Sequence, residues 1–131
     1  MTSDFHSHIL PGIDDGSRNT VESIAMLQLL AEQGVTHVVA TPHFYANHDT
    51  PEAFLKRRER AAQELFRVME EHPGLPQISI GAEVYYFRGI SESDLIPQLT
   101  IDKKRCIMIE SPGVPWGEYF YQELEQIHRR W

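Results

Sequence analysis

Asp4, His6 and His8 recur at every second residue of the opening segment Asp4-Phe5-His6-Ser7-His8. Residues two apart in an extended strand share a face, so the two imidazoles would point the same way, roughly 7 Å apart. Two imidazoles and a carboxylate on one strand face can grip a cation. The turn Pro11-Gly12-Ile13-Asp14-Asp15-Gly16 follows and adds two carboxylates beside the same strand end. The opening residues also suit a half-buried strand whose histidines are satisfied by ordinary hydrogen bonds. Support for a metal site must therefore come from elsewhere in the chain.

It comes from the elements that would carry the remaining ligands. Residues 5–9 read as a first strand, stopped by Pro11-Gly12, and a helix capped by Asn19 or Thr20 runs to Gln33 before Gly34. Residues 35–40 are a short apolar run of the kind buried on both faces, stopping at Thr41-Pro42-His43. Thr50-Pro51-Glu52 starts a second helix, with proline in its first turn, and His72-Pro73-Gly74 closes it. Residues 78–80 begin a third strand leading into Gly81-Ala82-Glu83, and a short helix is expected over 92–99. Residues 106–109 give a fourth strand ending at Glu110, and a last helix begins near Pro115. Strands alternating with helices predict an α/β fold with a parallel sheet. The series halts at Arg129-Arg130-Trp131 without a capping signal, leaving the fourth strand's edge unpaired. The expectation is therefore a single domain over residues 1–131 that forms the N-terminal portion of a longer barrel.

The predicted strand ends then carry His8, His43, Glu83 and Glu110 in turn, and parallel α/β folds build their sites on that rim. Asp14 and Asp15 join from the first loop. A nitrogen-and-oxygen donor set without sulfur suits zinc, manganese or iron. A glutamate between two cations can bridge them, so a multinuclear cluster is expected. Such a cluster suits hydrolysis of a phosphate ester, activating water and neutralising phosphoryl oxygens. Tyr85, Tyr86 and Arg88 form an aromatic lip beyond Glu83 that could wall an aromatic substrate, or simply pack in the core.

Composition sets bounds on this reading. At 131 residues and 41% hydrophobic, the chain can bury one modest core. A formal charge of -7 argues against nucleic acid or an anionic membrane as partner. No apolar run is long enough to insert in a membrane and no signal-peptide pattern opens the chain, so a cytoplasmic location is expected. Cys106 is the single cysteine and is expected to be a buried, inert thiol. The sixth residue after it is Pro112, not the arginine a cysteine phosphatase needs, and no glycine-rich phosphate loop or Gly-x-Ser-x-Gly elbow occurs. His37 is expected to be packed or paired within its strand, and Lys56-Arg57-Arg58-Glu59-Arg60 to be the wet face of the second helix.

The run Asp4-Phe5-His6-Ser7-His8-Ile9-Leu10-Pro11-Gly12-Ile13-Asp14-Asp15-Gly16 resembles the opening of the polymerase-and-histidinol-phosphatase (PHP) superfamily. Ala40-Thr41-Pro42-His43, Gly81-Ala82-Glu83-Val84-Tyr85-Tyr86 and Ile107-Met108-Ile109-Glu110 narrow the likeness to its manganese-dependent protein-tyrosine phosphatases of bacterial capsule and exopolysaccharide operons. The resemblance implies a distorted (β/α)7 barrel holding up to three manganese ions, with zinc or iron as alternatives. It implies His6, His8 and Glu83 on one ion, Glu83 bridging to a second that Glu110 also binds, and His43 with Asp15 on a third. Asp4 and Asp14 become supporting or alternative ligands. The implied substrate is a phosphotyrosine protein, an autophosphorylating tyrosine kinase of polysaccharide export, and a homo-oligomer is compatible. Members are much longer, and the histidine-and-arginine and Asp-x-His motifs of their later part have no counterpart between Trp116 and Trp131. A histidinol-phosphatase-like activity on the same site, or a chain that binds without turnover, are the alternative readings.

Overall fold

A computed structural model describes residues 1–131. Strand β1 (Thr2–Ser7) leads through a loop to helix α1 (Thr20–Glu32), then to β2 (Val35–Ala40) and the two-residue β3 (His43–Phe44). Helix α2 (Pro51–Met69) crosses to β4 (Gln77–Ile80) and β5 (Glu83–Tyr85). A 3₁₀ turn, the one-turn helix α3 (Ile96–Leu99), strand β6 (Met108–Glu110) and helix α4 (Glu118–Arg130) complete the chain. The strands form two parallel sheets, ordered β1-β2-β4 and β3-β5-β6. This is the expected α/β alternation.

The two sheets are stepped continuations of each other. β2 breaks at Thr41-Pro42, where proline has no N–H to give a ladder, and β4 breaks at Gly81-Ala82. Hydrogen bonds bridge the step, from Gly81 N to the Ala40 carbonyl and from Glu83 N to the Pro42 carbonyl, both at 2.9 Å. His43 and Glu83 therefore open new short strands instead of ending the earlier ones, and they sit side by side in register. The step reads in sequence as a strand end, because it carries the same Pro and Gly signals.

Local chemistry sets the helix ends. Asn19 accepts from Glu22 N at 2.9 Å and Thr50 from Ala53 N at 3.2 Å, two ordinary N-caps. Gly34, at φ +82°, reverses the chain after α1 where a side chain would be strained. Under the first sheet, Ile9, Leu10, Leu27, Val38 and Leu65 pack together, with α1 against α2. Under the second, Phe44, Phe54, Val84, Ile96 and Ile127 form a separate cluster. The site lies where the two meet.

Several expectations change. β1 ends at Ser7, so His8 lies just beyond the strand, and Ile9 and Leu10 dive into the core. Of β2, only Val38, Val39 and Ala40 are fully buried. The helix expected over 92–99 is split into the 3₁₀ turn and α3, and α4 starts three residues late because Gly117 is its N-cap. Cys106 is exposed, since it precedes the edge strand β6 and does not belong to it. Arg58 is buried although its neighbours in the charged run are wet: its guanidinium bonds the carbonyls of Gly81 and Gln98 at 2.8 Å. His37 is paired as expected, with Ser79 Oγ 2.7 Å away.

Candidate metal centre

Three backbone segments deliver the cluster. His6 and His8 come from the end of β1, with ring centroids 5.2 Å apart. The 11–16 loop folds back over them, its Gly16 so close that a Cβ there would lie 2.3 Å from the His8 backbone oxygen. Glycine is thus required for Asp14 to reach His8. The third segment is the stepped sheet, which places His43, Glu83 and Glu110 on adjacent strands.

Three sets of side chains have donor atoms within 4.8 Å of one another: His6, His8 and Glu83; His8, Asp15 and His43; His43, Glu83 and Glu110. All six residues expected as ligands occur in these sets. Glu83 belongs to two of them and so do His8 and His43, so the sets share corners. The first set matches the expected grouping, and the others pair the same residues with His8 and His43 as additional shared members.

The electrostatics call for a cation. Asp14 is nearly buried and accepts from His8 Nδ1 at 2.9 Å, from Gly16 N at 3.0 Å and from His43 N at 3.1 Å. Burial alone would raise its pKa, but these hydrogen bonds, with the nearby His8 charge, hold it below the ordinary carboxylate range. With its Nδ1–H donated to Asp14, a His8 ring that carries no second proton presents an Nε2 lone pair. That lone pair faces Glu83 Oε2 at 3.1 Å and His6 Nε2 at 3.3 Å. His6 Nε2 also meets Glu83 Oε2 at 2.8 Å. Lone pairs aimed at one another need a proton or a metal ion between them.

A second observation agrees. His43 Nδ1 and Glu110 Oε2 are buried without a hydrogen-bond partner, 3.7 Å apart, with Glu83 Oε2 3.4 Å from the same nitrogen. Buried polar atoms are rarely left unsatisfied. An imidazole nitrogen and two carboxylates around one point fit a divalent cation with nitrogen-and-oxygen preference. Asp15 is 81% exposed and stands 3.4 Å from His43 Nε2, an oxygen open to the cleft.

The supporting residues take different jobs. Asp4 accepts from the His6 backbone N at 3.1 Å, fixing the strand rather than an imidazole. Tyr86 spends its hydroxyl on Glu123 of α4 at 2.6 Å and packs edge-on to Phe120; its pKa is pushed up to about 12 by burial and by Glu123. Arg88 lies over the Tyr119 ring. Neither lines the cleft at the cluster. That cleft, about 430 Å³, is lined by Ile13, Asp14, Asp15, His43, Tyr45, His48, Asp49 and Arg57. Tyr45 stacks on His43 and leans on Tyr85, and burial together with the carboxylates of Glu110, Asp15, Glu83 and Asp14 raises its pKa. Tyr45 was legible by the rule that paired His6 with His8, for it is two residues past His43.

Known proteins resemble this chain in sequence and in fold. The tyrosine-protein phosphatase YwqE of Bacillus subtilis is 35% identical over 131 residues, 93% of this chain and 49% of that protein. CapC of Staphylococcus aureus is 45% identical over 128 residues, 91% of this chain and 48% of that protein. A solved chain from the crystal structures of YwqE and of CpsB from Streptococcus pneumoniae, described as metal-dependent tyrosine phosphatases, superposes with a TM-score of 0.82 at 25% identity. That match covers 98% of this chain and 52% of the solved one. The chain spans about half the length of the curated relatives it matches. A family profile aligned from residue 2 to residue 130 completes the assignment: the chain belongs to the CpsB/CapC family of capsular polysaccharide synthesis.

Proposed function

We propose that the cluster is the hydrolytic centre of a metal-dependent protein-tyrosine phosphatase acting in the cytoplasm on a phosphotyrosine protein, an autophosphorylating tyrosine kinase of polysaccharide export. The observation that carries this reading is the convergence of His8 Nε2, His6 Nε2 and Glu83 Oε2 within 3.3 Å of one another, a geometry that a cation resolves. The relatives named as tyrosine phosphatases support the choice of ester. Manganese is the proposed metal, in keeping with the nitrogen-and-oxygen donors and the lack of sulfur.

His6, His8 and Glu83 would hold one ion, Glu83 with Glu110 a second, and His43 with Asp15 a third. Bound divalent cations supply the Lewis acidity that activates water and neutralises a phosphoryl group. The chain's own residues set the geometry. Asp14 fixes the His8 tautomer and, through the His43 N–H, the start of β3. Glu83 offers its carboxylate to two sets at once, and exposed Asp15 closes the cluster towards solvent. Cys106 lines a separate groove with Ile96 and Trp131, so no thiol mechanism is proposed.

The test is metal content by elemental analysis, followed by hydrolysis of a phosphotyrosine peptide with manganese and with chelator. Two or three ions per chain and hydrolysis that stops on chelation are expected. Hydrolysis that survives complete removal of metal overturns the mechanism.

A further inference from the structure

We propose that Tyr45, with Ile13 and His48, forms an aryl subsite that makes the cleft select aromatic over aliphatic phosphate esters; this rests on reading the cluster as a phosphatase centre. The cleft has two kinds of wall. Asp14, Asp15 and His43 give its polar side, at the metal cluster, while Ile13 and the ring of Tyr45 give an apolar one. Its volume of about 430 Å³ falls in the range of small-ligand sites. An ester whose phosphoryl group meets the cluster must lay its leaving group along the remaining wall.

The Tyr45 ring is held before any ligand arrives. Its centroid lies 5.2 Å from that of His43 with the planes 21° apart, 5.7 Å from Tyr85 at 45°, and 6.3 Å from His48 edge-on. A ring fixed by three neighbours loses little freedom when another ring packs on it. Aromatic pairs gain beyond their buried area in offset or edge-on contact, and an alkyl group does not. The one arginine of the cleft does not compete for the phosphate, because Asp49 occupies both of its terminal nitrogens, Nη1 at 3.2 Å. Discrimination therefore falls to the ring.

The test uses non-hydrolysable probes on the manganese-loaded chain. Affinities for phenylphosphonate and ethylphosphonate are measured by calorimetry for the wild type and for Tyr45→Phe, Tyr45→Leu and Tyr45→Ala. The expected ratio favours phenyl by roughly three- to tenfold in the wild type. Tyr45→Phe keeps the ratio, whereas Tyr45→Leu, which preserves apolar bulk, and Tyr45→Ala bring it close to one. Equal affinities in the wild type, no binding of either probe, or an unchanged ratio in the leucine variant overturn the subsite. Losing both probes equally would make Tyr45 a prop for His43 and overturn it as well. Phenyl selectivity in a chain that never hydrolyses phosphotyrosine would sink the phosphatase reading alone, and turnover without selectivity would sink the subsite alone.

Discussion

Arg58 and Gly81 are joined by a buried hydrogen bond, 2.8 Å from Nη1 to the glycine carbonyl, that ties α2 to the step between β4 and β5. Its second terminal nitrogen reaches the Gln98 carbonyl at 2.8 Å. The guanidinium has no carboxylate partner, and burial lowers its pKa from the usual arginine value. Glu83 stands two residues beyond Gly81, so the fork holds the bend from which Glu83 reaches the cluster.

Arg58→Met should therefore leave two carbonyls unsatisfied and cost about 2–4 kcal/mol of stability. Metal affinity should fall as well, because Glu83 belongs to two of the three donor sets. Denaturant titration and a manganese isotherm check both effects. Unchanged values would mean that water replaces the guanidinium without loss.

Asp14→Asn is nearly isosteric, yet it should weaken metal binding about 10- to 100-fold. Asp14 Oδ2 accepts from His8 Nδ1 and His43 N, and Oδ1 accepts from Gly16 N. Either orientation of an asparagine amide turns an NH₂ towards an N–H donor. With NH₂ towards His8, relief comes when His8 moves its proton to Nε2, which removes that nitrogen as a ligand; with NH₂ towards Gly16 N, the loop that carries Asp15 is pushed away instead. A manganese isotherm reads the loss, and an unchanged affinity would show that Asp14 does not set the tautomer.

The donor residues were legible in the sequence because histidine and carboxylate side chains punctuate every predicted strand. Their exact placement was not. Thr41-Pro42 and Gly81-Ala82 look like strand ends, and only the cross-strand bonds to Ala40 and Pro42 reveal a step with pairing on both sides. Arg58 sits in a run of charges, and nothing local distinguishes it from Arg57 or Arg60. Its burial depends on carbonyls 23 and 40 residues away. Cys106 fooled the apolar pattern because an edge strand has no second neighbour to cover its entry. Local periodicity carries element type well, whereas burial and partner choice are long-range properties.

Manganese should raise the thermal midpoint of the wild type, since a ligand that binds only the folded state stabilises it by mass action. In Glu83→Gln the rise should largely vanish, because two of the three donor sets lose a carboxylate. Thermal scans at increasing manganese, with magnesium as control, test this. An equal rise in both proteins would place the bound metal away from Glu83.

Asp102 offers a pH test remote from the cluster. It accepts from Ser79 Oγ at 2.5 Å and from Ile80 N at 3.0 Å, clasping the turn before β6 to β4. Burial would raise its pKa, but these bonds, Lys104 and His37 outweigh it and hold the carboxyl below its ordinary value of 3.8. A carboxyl with a depressed folded pKa contributes stability that is fully present above the unfolded value. That contribution is lost as pH falls through the folded value. The wild type should therefore lose stability from about pH 4 downwards. Asp102→Asn isolates the charge, because asparagine also tolerates the left-handed backbone that residue 102 adopts at φ 51°. The variant should be less stable at pH 7, and the gap to the wild type should narrow as pH falls below about 4. Urea midpoints at pH 7 and pH 3 decide it; a constant gap would mean that the clasp works by shape, not by charge.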